Sequence, residues 1–435
     1  MTDAIQIGLC GLGTVGSSVV NILQRNGELI SARTQRPLKL THVGARRDNP
    51  LCSLEGIRVS RDVFAPVEDP DIDIVIELIG GTELAKELVL RAINNGKHVV
   101  TANKALIAEH GNEIFAAASV KGVQVCFEAA VAGGIPIIKT LREGLSANRI
   151  EWLAGIINGT GNFILTEMRS AGRDFDDVLK EAQEKGYAEA DPTFDVEGID
   201  AAHKLAILAS IAFGMPLQFD KTFTEGISAL DLADVAYAEE LGYRIKHLGI
   251  ARKTEQGVEM RVHPTLIPEK RLIANVDGVM NAVLIKGDAV GATLHYGAGA
   301  GGDATASSVI ADIVDVARVI DGEASLQVPP LSVSQASLES PAILAIEQVE
   351  TAFYLRLTVL DEPGVLSTIT RQFSDVGISI EAVIQKQPAN GEKTVPLILL
   401  TNKTNQHTLQ QAIDGVQNLT ENAAPIVRIR VETLG

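Results

Sequence analysis

The stretch AIQIGLCGLGTVGSSVVNILQRN, residues 4–26, passes from a short aliphatic run through three glycines into an apolar segment with helical spacing. It predicts a strand, a tight turn and a helix. The G-x-G-x-x-G spacing of Gly11, Gly13 and Gly16 has a mechanical reading. Gly11 permits the turn, Gly13 lets the backbone approach a pyrophosphate, and Gly16 lets helix and strand pack closely. The helix N-terminus then offers free N–H groups to phosphate oxygens. Three glycines alone would suit any tight strand-to-helix turn. Set between an N-terminal strand and an apolar helix, Gly11, Leu12, Gly13, Thr14, Val15 and Gly16 mark a dinucleotide site.

Working outward, further aliphatic runs follow: LKLTHVGA (38–45), IDIVIELIG (72–80), HVVTA (98–102) and VQVCFEA (123–129). Between them lie amphipathic segments such as ELAKELVLRAINNG (83–96), where Leu84, Leu88 and Ala92 share a face and Gly96 ends the helix. Strands apolar on both faces, alternating with helices, predict a parallel, doubly wound α/β sheet of the Rossmann type. The second strand ends in GARRDN (44–49), where an acid would hold a ribose 2′-hydroxyl. Arg46 and Arg47 stand there instead, which favours NADP while leaving NAD open; two solvated loop arginines is the plainer alternative. In HVVTANKALIAEHG (98–111), Asn103 is a plausible N-cap and Lys104 falls in the first helical turn. The macrodipole disfavours a cation there by roughly 0.3–1 kcal/mol, so Lys104 is either a ligand contact or a solvated lysine.

The chain has 435 residues, which predicts two or three domains. A net charge of −17 argues against nucleic acid as the main partner. Cys10, Cys52 and Cys126 are far apart and lack metal-ligand spacing, as expected in a reduced, cytoplasmic protein. MTDAIQIGLCG has no basic n-region, and Glu77, Glu128 or Lys204 interrupts the longest apolar runs, so neither a signal peptide nor a membrane span is expected.

After residue 145 the rhythm changes. IEWLAGIINGTGNF (150–163) reads as a strand entering a polar, glycine-rich turn. YRIKHLGIARK (243–253), VEMRVHPTLI (258–267), NAVLIKGDAV (281–290) and ATLHYGAG (292–299) alternate as antiparallel or mixed strands. An α+β domain is expected. Within it, GYAEADPTFDVEGIDAAHKLAILAS (186–210) gathers Glu189, Asp191, Asp195, Glu197 and Asp200 ahead of an apolar helix containing Lys204. Asp200 and Lys204 are four residues apart and stack on one face. A structural ion pair would account for two of these groups. Five acids exceed what one lysine needs, and surplus buried carboxylates would raise one another's pKa, so a ligand bearing an ammonium group fits better. Beside a dinucleotide domain, this arrangement points to hydride transfer on an amino-acid-like alcohol or aldehyde, with a lysine exchanging the proton.

GLGTVG, TANKALIA, FEAAVAGGIPII, INGTGNFIL, the acidic segment and GAGAGGDATASSVIADI together resemble the homoserine dehydrogenase family, in its order and over nearly the whole chain. The resemblance implies reversible oxidation of L-homoserine to L-aspartate 4-semialdehyde with NAD or NADP, on the route to threonine, methionine and isoleucine. It implies Lys204 as proton donor and acceptor, with Lys104 as the second lysine. Glu189 and Asp200 would hold the amine and hydroxyl ends, and Asp195, Tyr187, Gly159 and Thr160 would complete the pocket. Gly186 and Gly302 would contact the cofactor through their backbones. It further implies a sodium ion at the turn of Glu128, Val131, Gly133 and Ile135; a glycine turn before a helix is an equally economical reading. The dinucleotide domain is expected over residues 1–132, with 303–325 returning to it. A substrate-binding and dimerisation domain over 133–302 would make a homodimer or homotetramer.

Beyond Pro329, Pro330 and Pro341 the chain starts again with FYLRLTVL (353–360), a turn, and VLSTITRQFSDVG (365–377), where Val365, Ile369 and Phe373 share a face. Two strands, a helix and a last strand complete a βαββαβ order, which is ferredoxin-like. LDEPGVLSTI and DVGISI resemble the ACT domain, here residues 350–435, with L-threonine the implied effector. A module that only dimerises has the same pattern. On the ACT reading, removal of residues after about Ser340 leaves catalysis but loses the response to threonine. Two rival functions remain: an aspartate-semialdehyde-type dehydrogenase needs a nucleophilic cysteine, which neither Cys10 nor Cys126 resembles, and a non-catalytic sensor would have no use for both lysines and every acid.

Overall fold

The structure is a computed structural model and describes residues 4–322, 327–386 and 393–435. In chain order its main elements are β1 (Ile5–Cys10), α1 (Thr14–Thr34), β2 (Leu38–Gly44), β3 (Arg58–Ser60), β4 (Ile74–Glu77), α2 (Glu83–Asn94), β5 (His98–Thr101), α3 (Lys104–Lys121) and β6 (Val125–Cys126). There follow β7 (Ile150–Ile156), α4 (Gly159–Ala171), α5 (Phe175–Glu184), α6 (Ile199–Phe213), β8 (Phe223–Thr224), α7 (Leu232–Glu240), β9 (Tyr243–Lys253), β10 (Val258–Pro268), β11 (Met280–Gly287), β12 (Gly291–Ala298) and α8 (Gly302–Val319). The last are β13 (Glu350–Leu360), α9 (Val365–Asp375), β14 (Ile380–Gln385), β15 (Thr394–Thr401), α10 (Gln406–Gln417) and β16 (Val427–Val431). They form two compact units. The first is Met1–Gly159, Asp200–Thr222 and Val279–Pro341; the second is Thr160–Ile199, Phe223–Gly278 and Ala342–Gly435.

In the first unit, six parallel strands run in the order β3-β2-β1-β4-β5-β6, the nucleotide-binding arrangement in which the chain reverses direction beside β1. Ile5, Ile7 and Leu9 of β1 and Ile74 and Ile76 of β4 are fully buried, as continuous apolar strands covered on both faces must be. Helix α8 joins this core although it follows β12, far along the chain from β6. Its Val309, Ile313 and Val316, spaced by helical turns, pack in one cluster with Val19 and Val20 of α1. Each such aliphatic side chain contributes roughly 1.5–3 kcal/mol when removed from water. Of the segment expected to return here, residues 323–325 lie outside the described residues. The same unit holds an antiparallel set in which β11 lies between β7 and β12.

In the second unit, the strand order is β9-β10-β16-β13-β15-β14. Antiparallel β9 and β10 pair over eleven residues each, and β16 joins β10 in parallel at Thr265 and Leu266. The C-terminal β13-α9-β14-β15-α10-β16 places its last strand beside its first. Period-two alternation divides β13 between two cores. Phe353, Leu355, Leu357 and Val359 face α9 and α10, meeting Ile369, Phe373, Leu409 and Val416. Tyr354 faces the other way, into a cluster with Ile164 and Met168 of α4 and Val235 of α7.

The C-terminal strands are also bound in by buried charge. Asp234, fully buried on α7, accepts hydrogen bonds from the Tyr354 hydroxyl at 2.9 Å and from Arg356 Nε at 2.6 Å. Arg430 on β16 reaches Glu225 at 2.7 Å, and Arg261 on β10 reaches Glu432 at 2.5 Å. Cutting the chain near Ser340 would remove the partner strand of β10 and leave Asp234, Arg261 and Glu225 without these partners. These contacts tie the C-terminal strands to the rest of the second unit. One correction concerns INGTGNF: α4 begins at Gly159, so its glycines open a helix and do not make an isolated turn.

Candidate active site

The glycine loop sits at the carboxyl end of β1. Gly11 has φ +101°, and a Cβ there would lie 2.4 Å from the Leu78 carbonyl oxygen. A Cβ on Gly16 would lie 2.3 Å from the Gly11 carbonyl oxygen, so helix and turn fit only without a side chain. At Gly13 a Cβ would meet nothing, which leaves that side of the loop open to a ligand. Gly13 is also the N-cap of α1 and supplies no capping side chain, and the first turn carries no acid. These exposed N–H groups suit a pyrophosphate. Around them is a cleft of about 470 Å³ lined by Gly11, Leu12, Gly13, Arg46, Arg47, Leu78, Ile79 and Gly80 among others. Arg46 and Arg47 are exposed at the end of β2, while Asp48 turns to Arg61 at 2.9 Å. Thr14 and Val15 form the start of α1, and Gly302 abuts it: a Cβ on Gly302 would come within 2.6 Å of Ser18 Oγ.

A second constellation lies in the same unit. Helix α6 carries Asp200 and, one turn on, Lys204, whose Nζ donates to Asp200 Oδ2 at 2.7 Å and to the Ile157 carbonyl at 2.7 Å. Lys104 Nζ approaches Asp200 Oδ1 at 3.1 Å. Asn158, just past β7, donates to Asp200 Oδ2 at 2.9 Å. Two lysines from different helices thus share one carboxylate that is only 3% exposed. Burial pushes the Asp200 carboxyl upward, but the charges of Lys204 and Lys104 and the hydrogen bonds outweigh it and hold the pKa at about 2. Lys104 owes its place to Asn103, whose side chain accepts from Leu106 N at 3.1 Å and caps α3. Behind it, fully buried Glu77 accepts from Thr101 Oγ1 at 2.6 Å, and Thr101 Oγ1 in turn accepts from Asn103 N at 3.0 Å.

The other acids of the 186–210 segment belong to the second unit. Glu189 and Asp191 are exposed, and Asp195 and Glu197 are half-buried. Glu197 accepts from Ser228 Oγ at 2.6 Å, and Asp191 accepts from Thr193 N at 3.1 Å. The expected crowd of buried carboxylates raising one another's pKa is thus corrected: Asp200 alone of the five is buried, and its shift is downward. Thr160 Oγ1 donates to the Tyr187 carbonyl at 2.7 Å, and the Tyr187 ring meets Phe163 edge-on with centroids 5.2 Å apart. Gly186 is exposed with φ +73°. Gly159, in the first unit, has its Cα against Val279: a Cβ there would lie 2.7 Å from that carbonyl oxygen.

At the Glu128 turn, the Glu128 carboxylate accepts from Ile138 N at 2.8 Å and Lys139 N at 2.7 Å, an acid on the N-terminus of a helical segment. Burial raises its pKa to about 7 against those donors. The Gly133 carbonyl accepts from Ser308 Oγ at 2.6 Å, and the Ile135 carbonyl from Ile137 N at 2.7 Å. Val131 is fully buried at the end of the turn. Among the described residues, no group of three or more His, Cys, Asp or Glu side chains could hold a metal ion.

Sequence reasoning missed Asn49, whose side chain donates to the Leu12 carbonyl at 3.1 Å and the Gly13 carbonyl at 3.3 Å, holding the glycine loop from the end of β2. It also missed Asn158, Glu77 and the Gly80–Gly81 pair. The glycine pair after β4, both with φ +73°, was the one with a visible signal. The cysteine-nucleophile reading fails on geometry: Cys10 and Cys126 are buried, and burial pushes both thiols up.

A parallel sheet with an open glycine loop at one strand end, and two lysines on a buried acid in the same unit, defines a nicotinamide-dependent oxidoreductase. A model of the homoserine dehydrogenase NAD-binding domain matches residues 11–128, and a homoserine dehydrogenase model matches 136–314. The chain is 60% identical to the homoserine dehydrogenase of Pseudomonas aeruginosa, over 99% of each chain, and 52% identical to that of Neisseria gonorrhoeae, again over 99% of each. The crystal structure of a homoserine dehydrogenase from Thiobacillus denitrificans, 59% identical, superposes with a TM-score of 0.95 over 100% of this chain and 99% of that one. A hyperthermophilic archaeal homoserine dehydrogenase in complex with NADPH, 27% identical, superposes at 0.60 over 72% of this chain and 97% of its own. The chain belongs to the homoserine dehydrogenase family, and homoserine and aspartate semialdehyde are the substrates this implies.

Because the Asp200 pKa is depressed below its unfolded value near 3.9, its stabilising effect is present above that value and is lost as pH falls toward about 2. Asp200→Asn should therefore cost about 2 kcal/mol at pH 6. In urea titrations the difference from wild type should shrink steadily below pH 4. A difference that stays constant from pH 6 to pH 2.5 would show that the carboxylate is not held by the lysines.

Proposed function

We propose that Lys204 moves the proton in the oxidation of L-homoserine, with Lys104 as the second cation of the site and Asp200 as the acid that orients both. The observation that carries the reading is the single buried carboxylate reached by Lys204 at 2.7 Å and Lys104 at 3.1 Å. A lysine ammonium has three N–H donors. Two point at Asp200 and the Ile157 carbonyl, and the third is directed at the reacting oxygen. In oxidation the neutral amine takes the proton of the C4 hydroxyl as the carbonyl forms; in reduction the ammonium returns it. A bound nicotinamide supplies the hydride acceptor, and the open loop at Gly13 with the N-terminus of α1 fits its pyrophosphate.

The remaining roles are parts of the same proposal. Glu189, Asp195, Tyr187, Gly159 and Thr160 serve the substrate, and Gly186 and Gly302 serve the cofactor. NADP is the preferred cofactor, supported by Arg46 and Arg47 in the cleft and by the NADPH carried by the archaeal relative. Residues 350–435 are an ACT domain that binds L-threonine, a reading supported by their βαββαβ order. The functional modules are 1–132 with 303–325, 133–302, and 350–435. Sodium at the Glu128 turn, a dimeric or tetrameric assembly and a cytoplasmic setting rest on the resemblance. Activity in sodium-free buffer, light scattering and cell fractionation respectively decide them.

Lys204→Ala should reduce homoserine oxidation by at least about a thousandfold while leaving NADPH binding, read by fluorescence, unchanged. Turnover within a few-fold of wild type would remove the assignment. Replacing Arg46 and Arg47 together by alanine should lower kcat/KM for NADP by about tenfold or more and spare NAD; an equal loss with both cofactors would refute the 2′-phosphate reading. Millimolar L-threonine should slow the full-length enzyme where equimolar L-serine does not, and identical rates with the two amino acids would exclude the proposed effector.

A further inference from the structure

Glu77 closes β4 with no part of its side chain exposed. In the strand register it stands between Cys10 of β1 and Thr101 of β5, at the carboxyl end of the parallel sheet. Its donors are neutral. Oε1 accepts from the Ile79 amide at 2.8 Å, and Oε2 accepts from the Thr101 hydroxyl at 2.6 Å. Burial raises its pKa, while hydrogen bonds from Thr101, the Ile79 and Gly80 amides and the Asn103 side chain oppose the rise. A carboxylate is costly to bury even when its oxygens are met, so a position that served packing alone would favour an apolar residue.

Each oxygen serves a different structure. Ile79 and Gly80 line the glycine-loop cleft. Gly80 and Gly81, both with φ +73°, carry the chain from β4 toward α2 without side chains to hold the backbone. On the other side, the Thr101 hydroxyl gives its one proton to Glu77 and accepts from Asn103 N at 3.0 Å. Asn103 Nδ2 donates back to the Gly81 carbonyl at 2.6 Å, and Asn103 Oδ1 caps α3, whose first residue is Lys104. Cleft loop and helix start thus form one closed ring of hydrogen bonds around Glu77. An ionised carboxylate can only accept, which fixes the direction of the bonds it joins. A glutamine would turn an N–H toward Ile79 or Thr101 and oppose one of them.

We propose that Glu77 is a positioning residue that couples the cofactor cleft to Lys104. A dinucleotide seated against Ile79 and Gly80 fixes that loop. Through Glu77, Thr101 and Asn103 it also fixes the point from which Lys104 reaches Asp200 at 3.1 Å. This role rests on Lys104 being the second cation of the site and on the cleft being the cofactor site.

The test measures kcat for homoserine oxidation, and NADPH binding by fluorescence, in the full-length enzyme. Thr101→Val keeps the shape and removes the hydroxyl; it should lower kcat by about tenfold or more and leave the NADPH Kd within about twofold of wild type. Thr101→Ser should recover most of that loss. Glu77→Gln should show the same fall in kcat and, because the Ile79 limb is disturbed too, weaken NADPH binding by about fivefold. Placed on Lys104→Ala, Thr101→Val should change kcat by less than about twofold, since a residue acting through Lys104 has nothing left to act on. A merely structural threonine would multiply the two losses. Full kcat in Thr101→Val beside an impaired Lys104→Ala, or multiplied losses in the double variant, would overturn the role of Glu77 and leave that of Lys104 standing. Lys104→Ala at the wild-type rate would remove the Lys104 assignment and this role with it. The Thr101 arms decide the matter even where Glu77→Gln fails to fold.

Discussion

Two ammonium groups brought close together repel, and the site around α6 exists because a single buried carboxylate accepts both. Asp200 contacts Lys204 through one oxygen and Lys104 through the other, with Asn158 adding a neutral donor. Each partner is delivered by a separate local rule. Lys204 comes from the i, i+4 spacing of α6, Lys104 from the cap that starts α3 at Asn103, and Asn158 from the end of β7. Removing the acid would leave the largely buried Lys204 ammonium without its carboxylate, which is the costly way to break a buried ion pair. The carboxylate therefore serves folding and chemistry at once, because the field that keeps it ionised also holds the amines in place.

The second constraint is steric. Gly11 and Gly16 allow backbone approaches that no side chain would fit, and Gly302 brings the start of α8 against α1 in the same way. The result is a cleft whose rim comes from β1, β2 and β4 and whose rear support arrives from late in the chain. This is why α8 behaves as part of the nucleotide-binding layer: its apolar stripe completes a core that β1 and α1 cannot close by themselves.

Much of this was legible. Glycine spacing, continuous apolar strands and the Asp200–Lys204 interval each encode local geometry, and the corresponding elements fall where expected. Other features were hidden for identifiable reasons. β3 and β8 span three and two residues, too short for periodicity to register. The glycines of INGTGNF carry turn chemistry, but the close approach of Gly159 to Val279 puts them at a helix start. Asn49 acts on the glycine loop 36 residues away and Glu77 on Thr101 of β5, 24 residues on, so sequence neighbourhood does not announce either pairing. The acidic segment misled because charge density was taken for burial. Glu189 and Asp191 are solvated, and an exposed carboxylate needs no partner.

The C-terminal strands show how far connectivity can mislead about independence. A proline-marked boundary and a complete βαββαβ order suggest a separable body, yet β13 offers alternate residues to two cores and β16 continues the sheet begun by β9 and β10. Arg261–Glu432 is a nearly dry pair within a network that also takes in Glu259 and Arg252, and buried Arg430 would lose its carboxylate partner if Glu225 left. Glu225 adjoins the chain segment whose Ile227 N bonds the Val196 carbonyl and whose Ser228 holds Glu197. Within this unit, then, β16 and the acidic segment are joined through a short run of backbone and ionic contacts. A change in the C-terminal strands cannot be purely local, because the charges that anchor them are shared with residues packed against that segment.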